Sequence, residues 1–346
     1  MQAVEDLDQG SSTIPNEQWE SRIVSDALVD LGDYENVAFR GVMSPLGEIG
    51  QKRRGVNATF LKNAESYYQR YQGFEYWRWA LTGALSRISL ADPEIIVEYG
   101  CGFGNATLPM LDIVPKSRVI ASDISPNLLA ILQRLLVSRG LRARCTPIAM
   151  DAHKPYVNHG CVDLAFGAAI LHHLVDPRQL IASALRTLRP GGSAFFFEPL
   201  EEGLATFHAI LEEVCREADR RNALNRFKIP FLIARRLAHK LRPQLLRRAI
   251  KNWESLDDKW AFPRAMLEDI ARENNADIQI YGLHDNVGQF KRHFTQLMNA
   301  SRFTKASSFP PWVWDIFDRY DNEIFSPEML TGMAIEGCII FTKRSV

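Results

Sequence analysis

An α/β fold, with a parallel sheet covered by helices on both faces, is predicted for this chain by three observations. Apolar runs at Ile95–Val97, Val119–Ala121, Pro147–Met150, Val162–Phe166 and Ala194–Phe197 read as strands buried on both sides. Segments between them carry helical apolar spacing, as in Leu128, Leu129, Ile131, Leu132, Leu135 and Leu136. An acid or a glycine stands at the carboxyl end of each run: Glu98, Asp123, Asp151, Gly167 and Glu198. Ligands of open α/β sheets bind at those ends, so separate chain segments converge on one rim.

Composition bounds the answer. The 346 residues suffice for one large domain or two ordinary ones. A hydrophobic content of 46% with 24% charged residues is that of a soluble globular protein. The formal net charge is zero, so no global field draws in nucleic acid or membrane. The five cysteines are scattered, with no CxxC pair and no metal-ligand spacing. Reduced thiols in a cytoplasmic compartment are the simplest reading. The opening Met1–Asp6 is acidic and polar, unlike a signal peptide, and no apolar run reaches membrane-spanning length. No internal repeat stands out.

Met1 to about Pro15 reads as a loose polar arm. Trp19, Ile23, Ala27, Leu28 and Leu31 predict a helix over 16–31. Arg40–Arg54, with Gly41, Pro45, Gly47 and Gly50, predicts a long loop, and such loops are more often functional than incidental. A helix from Asn57 to Tyr71 follows. The aromatics of Tyr67–Trp79 either pack a helix on the core or face a ligand.

The stretch Ile95–Asn105 reads as a strand, a tight turn and a helix start near Ala106. Gly100, Gly102 and Gly104 alternate, which suits positive φ or close approach of backbone to a ligand. The first helical amides form an electropositive rim. The spacing departs from the dinucleotide fingerprint G-x-G-x-x-G, because Asn105 stands where its third glycine would be.

This loop resembles motif I of class I S-adenosylmethionine (SAM)-dependent methyltransferases, E/D-x-G-x-G-x-G. The blocks that follow resemble the same family in order: Val119–Asp123, Pro147–Ala152, Cys161–Gly167, Leu171-His172-His173 with Asp176-Pro177, and Leu188–Ser193 leading into Ala194–Pro199. The resemblance covers about Glu94 to Pro199. It implies a seven-stranded Rossmann-like sheet and SAM as cofactor, with S-adenosylhomocysteine as product. Glu98, Gly100, Gly102 and Gly104 would hold the methionine tail and ribose, with Glu98 balancing positive charge. Asp123 would bind the ribose, about twenty residues on. Ile124 would lie on the adenine face, Asp151 and Ala152 would meet the adenine amino group, and Gly167, at the end of the fourth strand, would also border the cofactor. N-terminal helices commonly close over SAM in this family. Tyr71 and Tyr67 are the expected lid residues, since a sulfonium is favoured against an aromatic face.

Beyond Pro199 the chain departs from a minimal methyltransferase. Ala205–Ala218 predicts a helix. Arg220–Asn252 contains eleven Lys/Arg residues and no Asp or Glu, with Pro243 as a break. This stretch is either a solvated basic face, paired with Asp315, Asp318, Asp321 and Glu323, or a surface for an anionic partner. A helix over Phe262–Ile270, a sixth strand over Ile278–Leu283 and a last strand over Gly337–Lys343 complete the core. The expected organisation is a helical lid and arm over 1–90 and a SAM-binding core over 91–202. A helical cap over 203–260 follows, then the remaining core over 261–346 with a second insertion at about 284–336. The insertions would form a substrate cap or a homodimer interface.

For the chemistry, His172 and His173 lie just past the fourth strand and suit a general base; the alternative is that they only cap or pack the next helix. Glu198 would orient a substrate hydroxyl or amine, or serve as a hydrogen-bonded strand end. The D/N-P-P-Y/F tetrapeptide and a catalytic Pro-Cys are absent, and no Asp/Asn/His cluster suggests the Mg²⁺ site of catechol-type O-methyltransferases, so a metal-independent reaction is the default. The expected function is methyl transfer to an oxygen or nitrogen of a small molecule. A methyltransferase for RNA or another anionic macromolecule, and a non-catalytic SAM-binding protein, are the alternatives.

Overall fold

Strand β3 (Ile95–Tyr99) is buried along its whole length, as a β-branched run between two covering layers should be. It pairs in parallel with β4 (Arg118–Asp123) and β6 (Val162–Ala168). Outward from these, β5 (Cys145–Ala149) joins β4 and β7 (Leu188–Pro199) joins β6, again in parallel. The far edge is antiparallel: β9 (Glu336–Lys343) runs against both β7 and β8 (Ala276–Gly282). The computed structural model describes residues 19–51, 63–90, 92–246, 250–284 and 287–344. No helix among the described residues is long and apolar enough to cross a membrane.

The sheet has nine strands rather than the expected seven, because β1 (Leu28–Asp30) and β2 (Met43–Pro45) are added beside β5, giving the order β1-β2-β5-β4-β3-β6-β7-β9-β8. Met43 pairs with Ile148, and the Ser44 hydroxyl donates to the Ala149 carbonyl at 3.1 Å. A short added strand covers backbone groups that β5 would otherwise leave open at an edge. It also replaces the helix expected over 16–31. Trp19–Arg22 is one 3₁₀ turn, Val24 bridges to Val157, and only Leu31–Tyr34 is α-helical. Ile23 and Val24 are buried in the core, so tertiary pairing overrides the helical spacing. The loop expected over 40–54 holds β2 and a turn at Leu46–Glu48 as far as it is described. The expected N-terminal arm and the start of the helix from Asn57 lie outside the described residues.

The predicted helix at 205–218 runs over Glu201–Arg220. Pro243 does not break the basic segment, which is helical over Lys228–Leu245. It falls in the last turn, so the one hydrogen bond it removes, to the His239 carbonyl, leaves the preceding turns intact. The second insertion supplies helices Gln289–Ala300, Pro311–Arg319 and Pro327–Gly332. Both insertions share one aromatic core: Phe294 stacks on Phe317 at 4.7 Å, and Phe231 stacks on Trp312 at 5.6 Å. Phe207, Phe231, Phe294 and Phe317 are fully buried there. This helical body joins the sheet at the end of β7, where the Leu200 amide donates to the Ile335 carbonyl at 2.9 Å.

Candidate functional site

The glycine turn after β3 is held in the left-handed region, with φ of 71° at Gly100, 55° at Gly102 and 90° at Gly104. At Gly100 a Cβ would lie 2.7–2.8 Å from Ile170, so only glycine lets the chain pass beneath that side chain. Gly102 turns its amide to Asp123 Oδ2 at 2.8 Å, while Ser125 donates its amide to Asp123 Oδ1 at 2.8 Å. The ends of β3 and β4 are thereby tied together by one carboxylate.

A cavity of about 240 Å³ opens above these ends. It is lined by Glu98, Gly100, Gly102, Phe103 and Asn105 after β3, and by Asp123, Ile124 and Ser125 after β4. Met150, Asp151, Ala152 and His153 after β5, and Ala168, Ala169, Ile170 and His173 after β6, complete the rim. Tyr67 and Trp77 come from helices Ala64–Tyr71 and Phe74–Leu85, and Asp257 and Lys259 come from the first insertion. Of the expected cofactor residues, Glu98, Gly100, Gly102, Asp123, Ile124, Asp151 and Ala152 are among these lining residues. Gly104 instead packs against Leu132, and Gly167 packs under Ile170 and Phe196.

Glu98 is fully buried, and the Thr107 hydroxyl donates to its Oε2. Its Oε1 has no hydrogen-bond partner among the described residues. Burial raises its pKa to about 8, a rise that the Thr107 hydrogen bond opposes and the neighbouring Asp123 reinforces. Asp123 is likewise pushed up by burial, against the pull of its backbone hydrogen bonds. At Asp151 burial also disfavours the charge, but the ring and amide of His153, both 2.9 Å from Oδ1, more than offset it and hold the carboxyl below its usual range. A buried, half-satisfied carboxylate beside a cavity suits a cationic ligand, since leaving such a group unpaired is costly. The ammonium and sulfonium of SAM fit that demand.

The helices expected to form a lid are set by Phe103, against whose ring Tyr67, Tyr68 and Phe74 pack edge-on at 5.9, 5.1 and 6.4 Å. Tyr67 lines the cavity, and burial lifts its pKa to about 12. Tyr71 does not line it; its ring is half-exposed beside Tyr67. A residue the sequence flagged only as a departure, Asn105, holds both of these helices. Its Oδ1 accepts from the Gly73 amide and its Nδ2 donates to the Tyr71 carbonyl, each at 2.8 Å.

The three expected catalytic residues separate. Glu198 is buried and accepts the amides of Ile170, Leu171 and His172 at 2.9, 2.6 and 3.3 Å, besides His172 Nδ1 at 2.6 Å. It organises the turn after β6 and does not line the cavity. That turn includes Ala169 at φ 61°, a left-handed conformation costly for a residue with a Cβ. His172 also stays out of the cavity lining; burial disfavours its charge, but Glu198 overcomes this and its pKa stands above the ordinary value. His173 lines the cavity, and burial, then the neighbouring His172, lower its pKa.

Sequence reasoning missed Asp257 and Lys259, which no motif announces. They are stitched to the rim from far along the chain: Lys259 N donates to the His172 carbonyl at 2.7 Å, and Trp260 Nε1 to the Leu174 carbonyl at 2.9 Å. Among the described residues, the second insertion contributes no lining residue. The basic stretch does not pair with the acidic run among the described residues. Arg220 and Arg221 bind Glu217, Arg235 binds Asp219, and Lys240 lies 3.5 Å from Asp258. Asp318 binds Lys291 instead, and Asp321 accepts the amides of Phe290 and Lys291.

Residues 96–192 match the family model described as a methyltransferase domain. This match, the glycine turn and the sheet order identify a class I SAM-dependent methyltransferase fold over this part of the chain. Among curated relatives, the trans-aconitate 2-methyltransferase of an Azoarcus species is 34% identical over 108 residues, covering 31% of this chain and 40% of that protein. The same enzyme of an Acidovorax species is 30% identical over 166 residues, covering 45% and 61%. The malonyl-[acyl-carrier protein] O-methyltransferase of Hahella chejuensis is 30% identical over 135 residues, covering 39% and 46%. The chain thus spans 40% to 61% of the length of these relatives. Among solved structures, the Haemonchus contortus phosphoethanolamine N-methyltransferase 2, in complex with phosphomonomethylethanolamine and S-adenosylhomocysteine, superposes with a TM-score of 0.50 at 13% identity, covering 93% of this chain and 69% of that one. A chain from the complex between the Haloferax volcanii Trm112 methyltransferase activator and a methyltransferase gives 0.50 at 13%, covering 84% and 96%. At that identity the likeness is one of fold.

Proposed function

We propose that this protein transfers a methyl group from SAM to an oxygen or nitrogen of a small molecule. The observation that carries the reading is Glu98, a fully buried carboxylate with one oxygen unpartnered, on the wall of a cavity at the strand ends. SAM, when bound, supplies an electrophilic methyl on a sulfonium leaving group. The chain's part is to hold the donor, orient the acceptor and exclude water. Glu98 would face the ammonium, Asp123 the ribose and Asp151 the adenine amino group, with Ile124 and Ala152 beside the ring. Tyr67 would offer its ring face to the positive charge. Trp77, His173 and Asp257, also on the cavity wall, would face the acceptor. His173, not His172, is the histidine on the cavity wall, so it is the better placed to take a proton from a hydroxyl or ammonium acceptor.

A cavity of about 240 Å³ at the strand ends suits a metabolite better than a macromolecule. Two relatives are named for methylating trans-aconitate and a carrier-bound malonyl group, which accords with a small acceptor. The basic helix Lys228–Leu245 offers no residue to the cavity. Calorimetry with SAM and S-adenosylhomocysteine, followed by transfer of radiolabelled methyl to a panel of small acids, alcohols and amines, tests the reading. Binding lost on Asp123→Ala and label found in a small product support it. No heat with either ligand, or label found only in RNA, sinks it. Tight SAM binding without turnover on any acceptor would point instead to a non-catalytic SAM-binding protein.

A further inference from the structure

Beside the cavity, His172, His173 and Asp258 each bring a ligand atom to one place, no two of these atoms being more than 4.8 Å apart. His172 Nε2 lies 3.8 Å from Asp258 Oδ1, and His173 Nδ1 lies 3.9 Å from the same oxygen. We propose that these three side chains form a site for a divalent transition-metal ion, Zn²⁺ by preference, on the rim of the cavity.

Four features of the chain support the site. Two imidazoles and a carboxylate are a borderline donor set that suits Zn²⁺ and disfavours Mg²⁺ or Ca²⁺, which seek oxygen. The two rings are already adjacent, with centroids 4.0 Å apart. Glu198 supplies the outer support that ligating histidines commonly have. It receives the Nδ1 proton of His172 at 2.6 Å, which fixes the tautomer and leaves the Nε2 lone pair toward Asp258. Asp258 is held from its other oxygen by Lys240, 3.5 Å from Oδ2, so Oδ1 faces the imidazoles. Metal–ligand bonds of about 2.0–2.2 Å place neighbouring ligand atoms roughly 3.3 Å apart. The gaps to Asp258 must therefore shrink by about half an ångström, within reach of a side chain that is one-third exposed, and a metal at His173 Nδ1 would displace the proton that this nitrogen donates to the Asp257 carbonyl at 3.0 Å. Three protein ligands leave a position open, the arrangement of sites that bind water or a substrate group. Because His173 also lines the cavity, that position would lie where an acceptor's oxygen or nitrogen could reach it.

The test uses the full chain without a histidine tag, stripped with chelator and titrated with Zn²⁺, Mg²⁺ and Co²⁺. The expected result is one Zn²⁺ per chain, far weaker Mg²⁺ binding, and visible Co²⁺ absorption bands. Asp258→Asn changes a partly exposed side chain without changing its shape and should weaken Zn²⁺ at least tenfold. His172→Ala should abolish the Co²⁺ bands, and Glu198→Gln should cost about 10–100-fold. S-adenosylhomocysteine binding, measured on each variant, reports whether the donor site is still folded. That keeps the proposal separate from the methyltransferase reading. Absence of Zn²⁺ binding by the unsubstituted chain overturns the site. So does Zn²⁺ held by Asp258→Asn at full affinity, or Mg²⁺ bound as well as Zn²⁺.

Discussion

The Thr107 hydroxyl donates to one carboxylate oxygen of Glu98 while the other oxygen of Glu98 is left without a partner. Burial places the pKa of this group at about 8 against an ordinary 4.5. The folded, ligand-free protein therefore holds a proton there that the unfolded chain releases at lower pH. Its contribution favours folding most below about pH 4.5, declines as pH rises toward 8, and is flat above. A cationic ligand has the opposite preference, since it pairs with the ionised form. SAM binding at pH 7 should thus release a proton, and SAM affinity should rise between pH 6 and 8. Calorimetry in buffers of differing ionisation heat measures the release. Glu98→Gln should abolish it and weaken SAM by tenfold or more.

Asn105 joins the lid to the glycine turn through Gly73 and Tyr71. Asn105→Ala removes two hydrogen bonds, each worth about 0.5–1.5 kcal/mol. Faster amide exchange over Ala64–Leu85, with a several-fold loss of SAM affinity, is the expected outcome. Unchanged exchange in that segment would show that aromatic packing on Phe103 alone holds the lid.

Gly100 combines φ 71° with contact beneath Ile170. Gly100→Ala adds left-handed strain of about 1–2 kcal/mol and a clash that displaces the turn. A lower Tm and at least tenfold weaker S-adenosylhomocysteine binding should follow. The reverse change nearby, Ala169→Gly, relieves φ 61° and should leave Tm level or higher.

Phe294 lies at the centre of the helical body, fully buried against Phe309, Trp314 and Phe317. Phe294→Ala should cost about 3–5 kcal/mol. Because no described residue of the second insertion lines the cavity, the folded fraction should keep its SAM affinity. Denaturant melts and calorimetry on one sample separate the two effects.

Much of the core was readable in the chain itself. Buried parallel strands must be apolar along their length, and the acids at their ends must be used there, so Glu98, Asp123 and Asp151 could be placed without coordinates. Positive φ at alternate residues demands glycine, so the turn announces itself. Those are local constraints, each met within a few residues. Tertiary structure alone decided where Glu198 spends its oxygens, on three amides and a histidine. It also set Tyr67 rather than Tyr71 over the cavity, and carried Asp257, Asp258 and Lys259 back to His172 and His173. Such choices depend on hydrogen bonds between residues tens of positions apart, each worth about a kilocalorie per mole. Too weak to leave a periodic mark on the sequence, they act only once the sheet has brought their partners together.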